Sequence, residues 1–117
     1  MRSQIIAPLT CFVLTLFLPC EADSVRGEPR PLIHAHAHND YRHSRPLLDA
    51  LACGFCSVEA DIFLVDGDLL VAHDVRELRA DRTLRGLYLE PLRRQVAVNK
   101  GRVYRKGPQF TLLVDIK

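Results

Sequence analysis

This 117-residue chain predicts an α/β fold built on a parallel sheet. Segments 32–37, 57–65 and 110–116 carry strand patterning, and a helical pattern over 44–54 separates the first two. Strands that alternate with helices in this way pair parallel, because the helix carries the chain back across the sheet.

The N-terminus reads as a leader. Arg2 precedes an apolar run from Ile5 to Leu18, and Pro19 then breaks it before Cys20-Glu21-Ala22. This matches a secretory signal with small residues at its cleavage site, so residues 1–22 are expected to be a signal peptide and the mature protein to be exported, periplasmic or secreted. Pro8 and Thr10 interrupt a run already short of the roughly 20 apolar residues a membrane span needs. Lipid attachment at Cys20 is the lesser alternative, because Pro19 is a poor match for the small residue expected before it. Residues 23–31, with Gly27 and Pro29 among charges, form a flexible lead-in.

Leu32 to Ala37 is the first strand, with Ile33, Ala35 and Ala37 on one face and His34, His36 and His38 on the other. Ser44 is expected to cap a helix with Pro46 in its first turn, Leu47, Leu48, Ala50 and Leu51 on its apolar face, and Gly54 at its end. Ser57 to Val65 is the second strand. Asp66-Gly67 turns it back into a short strand, Leu69 to Ala72. A three-residue turn, with Gly67 in the left-handed conformation, would set His73 opposite Glu59; a two-residue turn would set it opposite Ala60, on the other face. The first register is expected, with an irregular strand end as the alternative. Val75 to Lys106 reads as a loop and a short helix broken near Pro91, its arginines a solvated face rather than a phosphate clamp. Phe110 to Ile116 is the last strand.

Composition excludes little. Hydrophobic residues make up 48% and charged residues 26%, and a net charge of +2 demands neither nucleic acid nor an anionic membrane as partner. No obligate protein partner is evident. Beyond the leader, Cys53 and Cys56 show the C-x-x-C spacing of redox and zinc sites. They follow a helix and precede a strand, the reverse of a redox arrangement, and no second pair completes a zinc set, so they read as small packing residues.

The chemistry lies in Val58-Glu59-Ala60-Asp61-Ile62 and His73-Asp74. On a strand, Glu59 and Asp61 share one face about 6.6 Å apart, with Val58, Ala60 and Ile62 on the other. Carboxylates on so apolar a strand need solvent, basic partners or a hard cation such as Mg2+ or Ca2+. Reactive groups at strand C-terminal ends imply a barrel. A closed eight-stranded barrel takes ~250 residues and about 95 follow the leader, so 32–117 is expected to be the N-terminal part of a TIM-type (β/α)8 barrel, incomplete at this length.

His38-Asn39-Asp40-Tyr41, Ser57-Val58-Glu59-Ala60-Asp61, Val65-Asp66-Gly67, His73-Asp74 and Val114-Asp115-Ile116-Lys117, in this order and spacing, resemble the phospholipase-C-like phosphodiesterase superfamily. That superfamily includes glycerophosphodiester phosphodiesterases, phosphatidylinositol phospholipase C and sphingomyelinase D. The nearest branch is the one named after altered inheritance of mitochondria protein six. The resemblance covers about residues 32–117 and implies a truncated domain of a metal-dependent phosphoric diester hydrolase. It implies His38 and His73 as general acid and base, Glu59, Asp61 and Asp115 as ligands of Mg2+ or Ca2+, and Asn39 and Lys117 as substrate-binding groups. The substrate would be a small-molecule or lipid phosphodiester, in keeping with lipid metabolism. Asn39 departs from glycerophosphodiesterases, which usually carry arginine there.

Other readings compete. His34 and His36 lie deeper on their strand and are expected to be core or supporting groups. Asp40 and His43 fall in the next loop, where they either orient substrate or hold the loop. His36-Ala37-His38 alternatively supplies the H-x-H of a zinc or manganese amidohydrolase, or of a polymerase-and-histidinol-phosphatase-like phosphoesterase. A third reading is an exported, non-catalytic remnant, since part of a barrel leaves strand edges uncovered. Little or no activity is expected of this length alone.

Overall fold

The computed structural model describes residues 27–117. The expected signal peptide, and Cys20 with it, lies outside the described residues. No helix among the described residues is long and apolar enough to cross a membrane.

Strand β1 (Leu32–Ala37) leads through a 3-10 turn, Asp40–Arg42, into helix α1 (Leu48–Cys53) and back to strand β2 (Phe55–Val65). A hairpin joins β2 to β3 (Asp68–Val71); helix α2 (Glu90–Val98) and strand β4 (Thr111–Ile116) follow. β2 is the hub of the sheet: it pairs parallel with β1 and with β4, and antiparallel with β3. The architecture is therefore a mixed α/β sheet with a parallel core. It is open, and its closure into a barrel is not part of what the described residues form.

The two faces of β2 explain the fold. Cys56, Val58, Ala60 and Ile62 are buried, and they pack with Leu47, Leu51, Val71, Leu84 and Tyr88. Each Val, Leu or Ile side chain among them contributes about 1.5–3 kcal/mol when fully removed from water. Ser57, Glu59 and Asp61 alternate with them and face the other way.

Helix α1 departs from expectation at its start. Ser44 does not cap it; the N-terminal residue is Leu47, at φ 62° and ψ −49°, where Leu48 N–H donates to Pro46 O at 2.7 Å in a tight γ-turn. Pro46 lies outside the helix because Asp40 takes the next amide: Leu47 N–H donates to Asp40 Oδ2 at 2.6 Å. Gly54 ends the helix as expected, with φ 89° and its N–H on the carbonyls of Ala50 and Leu51.

The hairpin register also differs. Val65 faces Asp68 across two residues, Asp66 at φ 51° and Gly67 at φ 91°, so the turn is the two-residue kind with both central residues left-handed. Continued, this ladder would put His73 opposite Ala60. Ala72 N–H still reaches Asp61 O at 3.2 Å, but the strand has ended at Val71 and the chain bends at His73. The bend, and not the register, brings the imidazole onto the carboxylate face.

Pro91 does not break its helix. It occupies the first turn of α2, where its missing N–H is not required, and a wide π-type turn at Arg85–Leu89 leads into it. Exposed arginines here pair with neighbouring acids, Arg79 with Asp81 and Arg93 with Glu90, as a solvated face does. Cys56 packs in the core, whereas Cys53 is exposed and not a packing residue of the core.

Candidate functional site

β1 carries two extra residues relative to β2 between Leu32, which opposes Phe55, and His36, which opposes Ser57. The insertion keeps the faces in phase but slides β1, so that His38, just beyond the strand, falls beside Glu59. Its Nδ1 lies 2.6 Å from Glu59 Oε2. Asn39 N–H donates to the same oxygen at 3.1 Å. Asn39 makes this contact at φ 51°, a left-handed conformation that asparagine tolerates better than most residues.

Asp61 collects the other contacts. Its side chain is 3% exposed, and Oδ2 receives Tyr41 Oη at 2.9 Å, His73 Nδ1 at 3.1 Å and Lys117 Nζ at 3.2 Å. Burial alone would raise the Asp61 pKa. The hydrogen bonds from Tyr41, Lys117 and His73 outweigh it and hold the carboxyl below its usual value. β4 pairs Asp115 with Asp61 across the sheet, and Lys117 Nζ also contacts Asp115 Oδ2 at 2.5 Å. The ion pairs with Asp115 and Asp61 raise the Lys117 pKa.

Both catalytic candidates thus present the same arrangement. A neutral imidazole carries one N–H, and Nδ1–H pointing at a carboxylate leaves Nε2 as the lone-pair nitrogen. Glu59 holds His38 this way and Asp61 holds His73.

Residues 28–117 match the family described as "AIM6-like phosphodiesterase domain". This chain belongs to that family. Two relatives named "Altered inheritance of mitochondria protein 6" are similar to it. That of Lachancea thermotolerans is 52% identical over 60 residues, 49% of this chain and 14% of its own length. That of Eremothecium gossypii is 42% identical over 96 residues, 73% of this chain and 25% of its own length. An "Altered inheritance of mitochondria protein 6 homolog" of Arthroderma benhamiae is 42% identical over 66 residues, 51% of this chain and 21% of its own length. The chain spans a quarter or less of these relatives. No solved structure matches it.

In this AIM6-like domain the donor set suits a hard divalent ion. Ligand oxygens of Glu59, Asp61 and Asp115 lie within 4.8 Å of one another, and Lys117 is the ammonium that lies among them. An all-carboxylate set selects Mg2+ or Ca2+ over softer ions.

The other residues singled out by the sequence surround this cluster. His34 and His36 are exposed rather than in the core. His36 Nδ1 pairs with Ser57 Oγ at 2.8 Å, and its ring lies near His38 and Glu59. Asp40 is fully buried and holds its loop, accepting from Leu47 N–H and, at 2.8 Å, from Tyr88 Oη. His43 is exposed, and Asp74 caps the turn after His73 by accepting from Arg76 N–H at 2.9 Å. Asn39 and Lys117, expected to bind substrate, here contact Glu59, Tyr41 and the acidic cluster.

Tyr41, to which the sequence pattern assigns no role, is the centre of the site. Its hydroxyl lies 2.6 Å from Asn39 Oδ1, 2.9 Å from Asp61 Oδ2 and 3.1 Å from His73 Nδ1. Burial, then the hydrogen bond to Asp61 and its charge, push the phenol up to about 12. Arg82 fixes the same loop by donating to Tyr41 O at 2.5 Å. No local pattern marks Arg82, which is 41 residues away in sequence.

Proposed function

We propose that this chain carries the metal-binding mouth of a phosphoric diester hydrolase, on strands that begin a TIM-type barrel. The observation that carries this reading is the pair of imidazoles, each held through Nδ1 by a carboxylate, His38 by Glu59 and His73 by Asp61. Glu59, Asp61 and Asp115 would hold Mg2+ or Ca2+, which supplies electrostatic stabilisation of charge developing on phosphoryl oxygens.

The chain's own groups handle protons and orientation. Nε2 of one histidine accepts a proton from the attacking hydroxyl or water, and the other returns one to the leaving oxygen. Asp61 and Glu59 stabilise the imidazolium that each ring becomes in turn. Tyr41 keeps Asp61, Asn39 and His73 in one fixed cluster, so the two proton-carrying rings are positioned before substrate arrives. Lys117 Nζ lies between Asp61 and Asp115 and would be free to contact the phosphodiester anion if a metal held those carboxylates. Membership of the AIM6-like phosphodiesterase domain family supports the reaction class.

The test is hydrolysis of bis-p-nitrophenyl phosphate by the full chain with added Mg2+ or Ca2+. Expected is weak turnover that EDTA abolishes and that drops by about 100-fold or more in His38→Ala and in His73→Ala. EDTA-resistant turnover, or a folded chain that binds neither Mg2+ nor Ca2+, would reject the reading.

A further inference from the structure

Outside the oxygen cluster, His36 is a metal-competent side chain that the proposed reaction does not use. His36, His38 and Glu59 each offer a ligand atom, and these atoms lie within 4.8 Å of one another. The grouping comes from the backbone: His36 on β1 and His38 just beyond it are two apart, hence on one face, and the inserted pair of residues places His36 opposite Ser57 and His38 beside Glu59. A second observation is independent of that proximity. Ser57 Oγ holds His36 Nδ1 at 2.8 Å, the kind of outer hydrogen bond that fixes a metal-ligating imidazole and leaves Nε2 to bind. Both rings line an open cleft of about 610 Å3 beside β1, so a hydrated ion reaches them from solvent.

We infer that His36, His38 and Glu59 form a second cation site, for a zinc-class ion, whose occupation switches the phosphodiester chemistry off. Two imidazoles and one carboxylate, with a fourth position left to water, suit Zn2+ and disfavour Mg2+ or Ca2+, which take oxygen donors. The inhibition rests on the proposed hydrolase reading. An ion held here takes the His38 ring out of proton transfer and draws Glu59 away from the Asp61–Asp115 cluster. Glu59 is the shared element, so the two sites compete.

Co2+ titrated into the full chain is the direct probe, because a four-coordinate nitrogen-and-oxygen site gives intense visible bands. The bands are expected in the native chain and in Asp115→Asn, lost in His36→Ala, and about tenfold weaker in apparent affinity in Ser57→Ala, which keeps every ligand but frees the ring. Zn2+ is expected to suppress Mg2+-supported turnover, with about tenfold more Zn2+ required in His36→Ala, whose turnover without Zn2+ stays native. Bands absent from the native chain, or unchanged in His36→Ala, overturn the site. Equal Zn2+ sensitivity of the native chain and His36→Ala overturns the inhibition. Cobalt bands that follow the expected pattern in a chain that binds neither Mg2+ nor Ca2+ leave the site standing and reject the hydrolase reading.

Discussion

Tyr41 and Asp61, twenty residues apart, share one buried hydrogen bond of 2.9 Å that ties the loop after β1 to the middle of β2. The phenol is 3% exposed, and the same oxygen also reaches Asn39 and His73. One side chain therefore connects residues from three segments of the site. Tyr41→Phe keeps the ring and its packing but leaves Asp61 with one donor fewer. It is expected to cost about 1–2 kcal/mol in urea unfolding, the usual penalty for a buried polar group that loses its partner. A change under a few tenths would show that the network carries no stability.

Asp40 stabilises the same loop from below. Its Oδ2 takes Leu47 N–H and Tyr88 Oη, joining the strained turn before α1 to the π-type turn at Arg85–Leu89, while Oδ1 is buried without a partner. Burial, then the charge of Asp40, raise the Tyr88 pKa. Asp40→Ala strands both donors and is expected to cost about 3 kcal/mol, read as a lowered denaturation midpoint at unchanged slope. Asp40→Asn retains an acceptor and is expected to fall between.

Much of this was legible because its signals are local. Alternation along 57–65 put Glu59 and Asp61 on one face of β2 and Val58, Ala60 and Ile62 on the other, and Gly54 marked the end of α1. What escaped the sequence depends on tertiary partners. Ser44 is a good capping residue, but the buried Asp40 captures the Leu47 amide and sets the helix start three residues later. The Asp-Gly pair makes a two-residue turn in place of the expected three-residue one, and His73 still reaches the carboxylate face because the strand ends irregularly, at Val71, where the chain bends. Tyr41 looks like an ordinary core aromatic, and Arg82 like one more surface charge. Only the fold shows that the hydroxyl of one and the guanidinium of the other are structural.

Gly54 tests how tightly β1 is clamped to the end of α1. It adopts φ +89°, and a Cβ there would meet the Arg30 carbonyl oxygen, while Leu32 N–H donates to Gly54 O at 2.8 Å. Gly54→Ala combines left-handed strain with a backbone clash that no side-chain rotation relieves. The expected loss is about 2 kcal/mol or more in chemical denaturation. Gly67→Ala is the control: it has a similar φ of +91° but nothing within 4 Å of the added Cβ, so it should lose only the strain. Equal losses in the two would mean that the Arg30 contact is slack.

The site should limit stability at both ends of the pH scale, for opposite reasons. Asp61 has a carboxyl pKa below its ordinary 3.8, so its contribution is complete above pH 3.8 and is lost as pH falls through the lower folded value. Tyr41 and Lys117 are raised, from 10.0 to about 12 and above 10.5 respectively, so theirs are complete below the unfolded values and are lost as pH rises through the folded ones. Urea midpoints measured from pH 3 to 12 should fall on both limbs. Because the Asp61 carboxylate is among the causes that raise both basic-limb groups, Asp61→Asn should blunt the two limbs together, whereas Tyr41→Phe should remove only its own share between pH 10 and 12. The buried Tyr88 and Tyr104, raised chiefly by desolvation, keep part of the alkaline slope in both variants. An alkaline limb untouched by Asp61→Asn would mean that burial alone, without the carboxylate, sets the Tyr41 phenol.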